Sequence, residues 1–190
     1  AGIYSFSYSL IGTSFIVYTS IAYVIYPYIS RMWTNNEMAK VKETLEIGQD
    51  IFLYIAIPIT FLLIYLYPDI VRIIAGKDFI IERSLVLLIA IGHVFFGIYS
   101  IYGYVIDLSQ KTFLFLKVMM VSAFLNIGLN IILIPIMGIQ GAALSTFFTY
   151  LVQVVAVQMI VKKISCFKLK IDYKLVAICC AISFFSILMI

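Results

Sequence analysis

Long apolar runs dominate the chain, and polar residues interrupt them at intervals that suit helices crossing a membrane. A hydrocarbon core about 30 Å thick requires about 20 apolar residues of helix. The sequence predicts five such spans and a sixth that is cut short, at about 6–29, 50–68, 84–106, 113–136, 141–161 and 174–190. None of the runs alternates strictly over about 10 residues, as a membrane β-strand does. We therefore predict an all-α, polytopic transmembrane helix bundle.

The segment between the first two spans is amphipathic. Met38, Val41 and Leu45 recur on one helical face, and charged residues occupy the opposite face. This pattern predicts a separate helix at about 35–48 that lies on the inner membrane surface. We expect Pro68 to end the second span, because proline lacks the backbone donor that a helix needs.

Composition and charge support this arrangement and give it an orientation. The chain is 64% hydrophobic and 12% charged, with a mean hydropathy of +1.14, whereas soluble domains are roughly 25% charged. Ten of the 13 Lys and Arg residues lie in or beside the first, third and fifth loops. The positive-inside rule therefore places loops 30–49, 107–112 and 162–174 in the cytoplasm and residue 1 outside. The net charge of +4 requires only anionic membrane lipids as partners, not nucleic acid.

The first span has an unusual polar face. Five hydroxyl-bearing residues recur there at helical spacing, namely Ser5, Ser9, Thr19, Tyr23 and Tyr26. In hydrocarbon, such a face either packs against another helix or lines a watery cavity. The tyrosines favour a cavity, because close helix packing needs small residues, whereas a Tyr ring and hydroxyl suit a sugar.

Four polar residues in the later spans are further candidates for substrate contact. His93 is the chain's one histidine, and Asn126 and Asn130 share a face of the fourth span. Each of these three either bonds to a neighbouring helix or contacts a substrate hydroxyl. Lys117, near the inner end of the fourth span, either extends to the interface or holds a phosphate.

Small residues follow the outer turn at 137–140. Gly138, Gly141, Ala142 and Ser145 form a stripe at the start of the fifth span. Because lipid is as apolar as leucine, helices in a membrane associate through close backbone approach. We expect these residues to pack the fourth and fifth spans into a tight hairpin, with Pro135 and Gly138 favouring the exit from the fourth.

Chemistry-bearing clusters are missing from the sequence. All nine acidic residues lie in loops or at span boundaries. We find no catalytic constellation, no metal-ligand spacing and no cofactor motif, so we predict that the chain is not an enzyme.

The chain resembles the C-terminal half of bacterial polysaccharide flippases in four segments: "GIYSFSYSL" (2–10), "YPYISRMW" (26–33), "IAGKDF" (74–79) and "NIGLNIILIPIMGIQGAALSTFFTYLVQ" (126–153). These flippases are the O-antigen and capsular repeat-unit exporters of the multidrug/oligosaccharidyl-lipid/polysaccharide exporter superfamily. The last segment is the most specific of the four.

The resemblance implies two pseudo-symmetric lobes around a cavity that opens alternately to each side, with this chain forming most of the C-terminal lobe. It implies an undecaprenyl-pyrophosphate-linked oligosaccharide as substrate, a bacterial cytoplasmic membrane, a role in lipopolysaccharide or capsule biosynthesis, and other polysaccharide-assembly proteins as candidate partners. Because the chain lacks an initiator Met and stops inside an apolar run, we expect it to be a piece of a longer protein. Three alternatives stay open: a multidrug or toxin antiporter of the same superfamily, a membrane enzyme of the same pathway, and a structural membrane subunit.

Overall fold

The computed structural model describes residues 9, 12, 15–74, 82–165 and 176, without the side chains of residues 15–18, 22 and 74. Every regular element in these residues is an α-helix. The helices are α1 (Phe15–Thr34), α2 (Met38–Ile74), α3 (Arg83–Leu108), α4 (Thr112–Met137) and α5 (Ile139–Ser165). Helices α2 to α5 are each long and apolar enough to cross a membrane. The prediction of a polytopic helix bundle is confirmed, while the sixth predicted span lies outside the described residues except for Val176.

Helix α3 is the centre of the bundle and packs against the other four helices. Its apolar residues contribute to two buried clusters. The larger cluster joins all five helices around residues such as Ile29, Leu45, Val105 and Val157, all at most 1% exposed. Helix α4 contrasts with α3, because only Val118 and Ser122 on it are buried. Most of α4 therefore faces away from the described bundle.

Helix α2 corrects two expectations from the sequence. The segment predicted as a separate surface helix at about 35–48 is continuous with the second span, and the combined helix runs from Met38 to Ile74. Pro68 lies inside this helix and does not end it. A proline removes one helical hydrogen bond, whereas ending the helix inside the membrane would leave several backbone groups without partners. The amphipathic pattern arises because Val41 and Leu45 are buried against the bundle.

The connection between α4 and α5 is shorter than expected. Pro135 lies inside α4, and Gly138 is the one residue between the two helices. The φ of Gly138 is 59° and its ψ is −130°, a conformation that residues with a Cβ adopt only with strain. Its N–H donates a hydrogen bond of 2.8 Å to the carbonyl oxygen of Ile134. Glycine at this position therefore permits the chain to reverse within one residue.

Candidate functional site

The polar face of α1 lies on the outside of the described bundle. Thr19, Tyr23 and Tyr26 are exposed, and the side chain of Tyr23 is 89% exposed. Another side of the helix carries Ile25 and Ile29, which pack into the larger apolar cluster. The helix is therefore held by its apolar side, so its tyrosines are available to whatever lies beside the bundle. Ser9 is also exposed, and Ser5 lies outside the described residues.

We call the exposed side of α1 that carries Thr19, Tyr23 and Tyr26 the tyrosine face. It extends onto α3. The rings of Tyr26 and Tyr104 lie 5.1 Å apart and are tilted by 58°. Aromatic pairs prefer such a tilted arrangement, which holds both rings in place. Aromatic rings with hydroxyls therefore border this surface from two helices.

Hydrogen bonds join the middle of α4 to α5. Asn126 Nδ2 donates to Thr149 Oγ1 at 3.2 Å, and Asn130 Nδ2 donates to Asn126 Oδ1 at 2.9 Å. Ser145 Oγ donates to Asn130 Oδ1 at 2.6 Å. The structure thus brings Asn126, Asn130 and Ser145 together, in the interhelical arrangement that the sequence left open as one of two alternatives. We call the side chains of Asn126, Asn130, Ser145 and Thr149 the amide network.

A groove of about 390 Å³ borders the amide network. Its lining comes from the middle of α4 and α5 and consists of Met119, Ser122, Ala123, Asn126, Thr146, Thr149, Tyr150 and Gln153. No charged side chain is among these residues, and five of the eight carry an amide or aliphatic hydroxyl. A groove with this lining offers hydrogen bonds without charge.

Gln153 is the most unusual residue in the groove. Its side chain is only 9% exposed, and its Oε1 atom is buried without a hydrogen-bond partner among the described residues. A buried amide oxygen without a partner costs about 1–3 kcal/mol. Such an atom in a native protein calls for a physical explanation.

His93 lies on α3 between Gly12, which precedes α1, and the groove. Its Nδ1 is 2.8 Å from the carbonyl oxygen of Ile89, one turn earlier on the same helix. A Cβ placed on Gly12, which lies on the polar face of the first span, would be 4.0 Å from His93 Nε2. The ring of His93 also contacts the edge of Tyr150, with centroids 6.3 Å apart. His93 therefore connects the polar face of the first span to the lining of the groove.

Lys117 lies apart from the groove. Its side chain is exposed, and its Nζ atom is 4.8 Å from the centre of the Phe113 ring on the same helix. The ammonium group remains accessible in this position, since the ring covers one side of it.

The small residues lie where α5 approaches α4. A Cβ added to Gly141 would be 2.4 Å from the carbonyl oxygen of Leu133 and 2.9 Å from the backbone nitrogen of Ile134. Ser145 is fully buried one turn later, and Ala142 is half-buried and accepts hydrogen bonds from Ser145 and Thr146 through its carbonyl oxygen. These contacts allow the two helix backbones to approach closely near the turn.

The predicted site omitted all four groove residues on α5, namely Thr146, Thr149, Tyr150 and Gln153. Thr146, Tyr150 and Gln153 repeat at spacings of four and three, which places them on one side of the helix. That spacing could have revealed a polar side of α5 facing the asparagines of α4. It could not have revealed that Gln153 Oε1 has no partner among the described residues, because partners depend on the packing of all the helices.

Comparison with known proteins identifies the family. The lipid II flippase MurJ family matches residues 3–190 of the chain. The chain belongs to this family. Members of this family are transporters rather than enzymes, and they are multi-pass membrane proteins. The predicted membership of a flippase family is confirmed, and the O-antigen or capsular type stays a prediction.

Two archaeal proteins are among its relatives. One is the probable low-salt glycan biosynthesis flippase Agl15 of Haloferax volcanii, which is 23% identical over 154 residues, 81% of this chain and 33% of that protein. The other is the uncharacterized membrane protein MJ1068 of Methanocaldococcus jannaschii, which is 27% identical over 137 residues, 70% of this chain and 26% of that protein. The chain thus spans about a third or less of these relatives. No solved structure matches it.

Proposed function

We propose that this chain is the C-terminal part of a flippase that moves an undecaprenyl-pyrophosphate-linked oligosaccharide repeat unit from the inner to the outer leaflet of the cytoplasmic membrane. The membership of a flippase family and the glycan named for one relative support a lipid-linked glycan as substrate. The O-antigen or capsular type of glycan is the finer part of the proposal. The resemblance of residues 126–153 to exporters of that type supports it.

The observation that carries the proposal is the exposed tyrosine face of α1. A hydroxyl group that enters hydrocarbon without a partner costs about 4–8 kcal/mol, so a sugar headgroup needs a polar path across the membrane. Tyr23 and Tyr26 are exposed on the outside of a bundle whose other exposed residues are mainly apolar. In our proposal this face lines a cavity between two lobes, and rocking of the lobes opens it to each side in turn.

Charge supplies the second requirement of the substrate. The pyrophosphate is anionic, and a cation near the inner membrane surface would offset that charge. Lys117 is exposed five residues after the start of α4, which the positive-inside rule places near the cytoplasm. We assign it to the first contact with the pyrophosphate. Asn126 and Asn130, which bond to each other and to α5, serve the hairpin in this proposal.

Flipping in proteoliposomes tests the proposal. The intact protein is reconstituted with a fluorescent lipid-linked oligosaccharide, and a membrane-impermeant quencher reports the fraction in each leaflet. Replacing Tyr23 and Tyr26 together with leucine should slow flipping about fivefold or more, since each substitution removes a hydroxyl contact. Tyr28→Leu is the matched control, because Tyr28 is 63% exposed on another face of α1. Equal rates for the double variant and wild type would remove the tyrosine face from the substrate path.

Solvent access to the same face provides an independent measurement. In a protein lacking its native cysteines, single cysteines at positions 9, 19, 23 and 26 should react with a water-soluble thiol reagent. Ile29→Cys should not react, because Ile29 is fully buried.

A wild-type protein that exports dyes and does not flip the lipid-linked oligosaccharide would instead support the antiporter alternative.

A further inference from the structure

The groove between α4 and α5 contains an unused hydrogen-bond acceptor inside the membrane-spanning part of the chain. Gln153 Oε1 is buried and has no partner among the described residues, although Gln153 lies in a lining rich in hydroxyls and amides. Two neighbouring hydroxyls are already engaged within the hairpin: Thr149 bonds to Asn126 and to the Ser145 carbonyl oxygen, and Thr146 bonds to the Ala142 carbonyl oxygen. The free acceptor therefore points to a group that comes from elsewhere.

The lining defines the chemistry of that group. It contains no charged residue, so it offers no opposite charge to stabilise an ion such as a phosphate. A primary amide offers both a donor and an acceptor, and a sugar hydroxyl is also both a donor and an acceptor. Tyr150 adds an aromatic ring, whose flat apolar face suits the C–H face of a sugar. The lining thus matches an uncharged polyhydroxyl group better than an ion.

The groove is also adjacent to the polar face of the first span. Tyr150 contacts the ring of His93, and His93 lies next to the Gly12 position of that face. An oligosaccharide that extends along this face from the tyrosines to Gly12 would reach the groove.

We propose that the groove around Gln153 is a binding subsite for a hydroxyl-bearing sugar of the lipid-linked oligosaccharide, and that Gln153 Oε1 accepts a hydrogen bond from that sugar. This inference rests on the proposed function, since it requires a glycan substrate. It adds a second contact region, separate from the tyrosine face and from Lys117.

Binding to two probes tests the subsite in the intact protein in nanodiscs. The probes are undecaprenyl pyrophosphate carrying an oligosaccharide and undecaprenyl pyrophosphate alone. Gln153→Leu should weaken binding of the glycan probe about twofold to tenfold, the range for one lost hydrogen bond, and leave binding of the sugar-free probe unchanged. Gln158→Leu is the matched control, because Gln158 is a half-buried glutamine on the same helix that does not line the groove; it should change neither affinity.

A second variant separates a sugar contact from a contact within the protein. Gln153→Met keeps the length of the side chain and removes the acceptor. If the partner is a sugar, the unliganded variant should melt at the same temperature as wild type or higher, since no bond of the resting protein is lost. A lower melting temperature would show that another part of the protein bonds to Gln153, and would overturn the subsite.

The remaining outcomes distinguish the two proposals. If Gln153→Leu weakens the binding of both probes equally, the sugar contact is overturned. It is also overturned if the variant binds the glycan probe as tightly as wild type does, in a protein whose wild type flips that probe. A wild-type protein that neither binds nor flips the glycan probe would overturn the proposed function itself.

Discussion

The contact between Gly141 and α4 allows a quantitative prediction about how the hairpin is held. An alanine Cβ at position 141 would lie 2.4 Å from the Leu133 carbonyl oxygen and 2.5 Å from its carbon. Carbon to oxygen contacts of about 3.3 Å are the shortest that recur in proteins, so α5 must move about 1 Å away from α4. Both contacted atoms belong to the backbone of α4, which cannot move aside as a flexible side chain can.

The energetic cost follows from this displacement. Overpacking a tight contact costs about 1–3 kcal/mol. The bond from Ser145 Oγ to Asn130 Oδ1 would lengthen from 2.6 Å to about 3.6 Å, which is beyond hydrogen-bonding range, and an interhelical bond in a membrane contributes about 0.6 kcal/mol. The helix propensity of alanine returns up to about 1 kcal/mol. We therefore expect Gly141→Ala to destabilise the protein by about 1–3 kcal/mol, and Gly141→Leu to destabilise it more.

Unfolding of the intact protein by SDS titration in mixed micelles measures this effect. Gly128→Ala is the matched control, because Gly128 also lies in the hairpin and a Cβ there would meet nothing within 4 Å. That variant should be as stable as wild type or slightly more stable. If Gly141→Ala unfolds at the same SDS fraction as Gly128→Ala, then close approach at Gly141 does not stabilise the hairpin.

Two further variants test other contacts in the bundle. The amide network predicts that Asn130 and Ser145 are energetically coupled through their 2.6 Å hydrogen bond. In a double-mutant cycle with Asn130→Leu and Ser145→Ala, the two losses of stability should be non-additive by about 0.6–1.7 kcal/mol. Additive losses would mean that this bond does not stabilise the protein. Gly97→Ala should lower stability by about 1–3 kcal/mol, because the new Cβ would overlap the ring of buried Phe52; restoration of stability by adding Phe52→Leu would verify that this ring is the cause, and no restoration would contradict it.

Hydrophobicity was a reliable guide to most of the helices. The predicted third and fourth spans, 84–106 and 113–136, differ from α3 and α4 by at most two residues at either end. The reason is physical: in hydrocarbon, a backbone group without an internal partner costs several kcal/mol, so an apolar run of sufficient length becomes a helix. The same penalty explains the error at Pro68. Rules for ending helices come from soluble proteins, where water can satisfy the free backbone groups.

The candidate site could be predicted only in part. Spacing alone placed Tyr23 and Tyr26 on one side of α1, and both are exposed together in the structure. Spacing also paired Asn126 with Asn130, but it left open whether they bond to a neighbouring helix or to a substrate. Resolving that question required the position of Thr149 and Ser145 on α5. In the part of the chain that the structure describes, Gln153 Oε1 has no partner, and no local sequence pattern reports this because it depends on the packing of several helices at once.

The one-residue connection at Gly138 restricts how this part of the molecule can move. Two helices joined by a single residue cannot slide past each other by more than a few ångströms unless one of them unwinds. A conformational change that keeps the amide network intact must therefore displace α4 and α5 together, as one hairpin. The width of the groove beside that network then stays constant, and access to the groove is controlled by whatever moves across its open side.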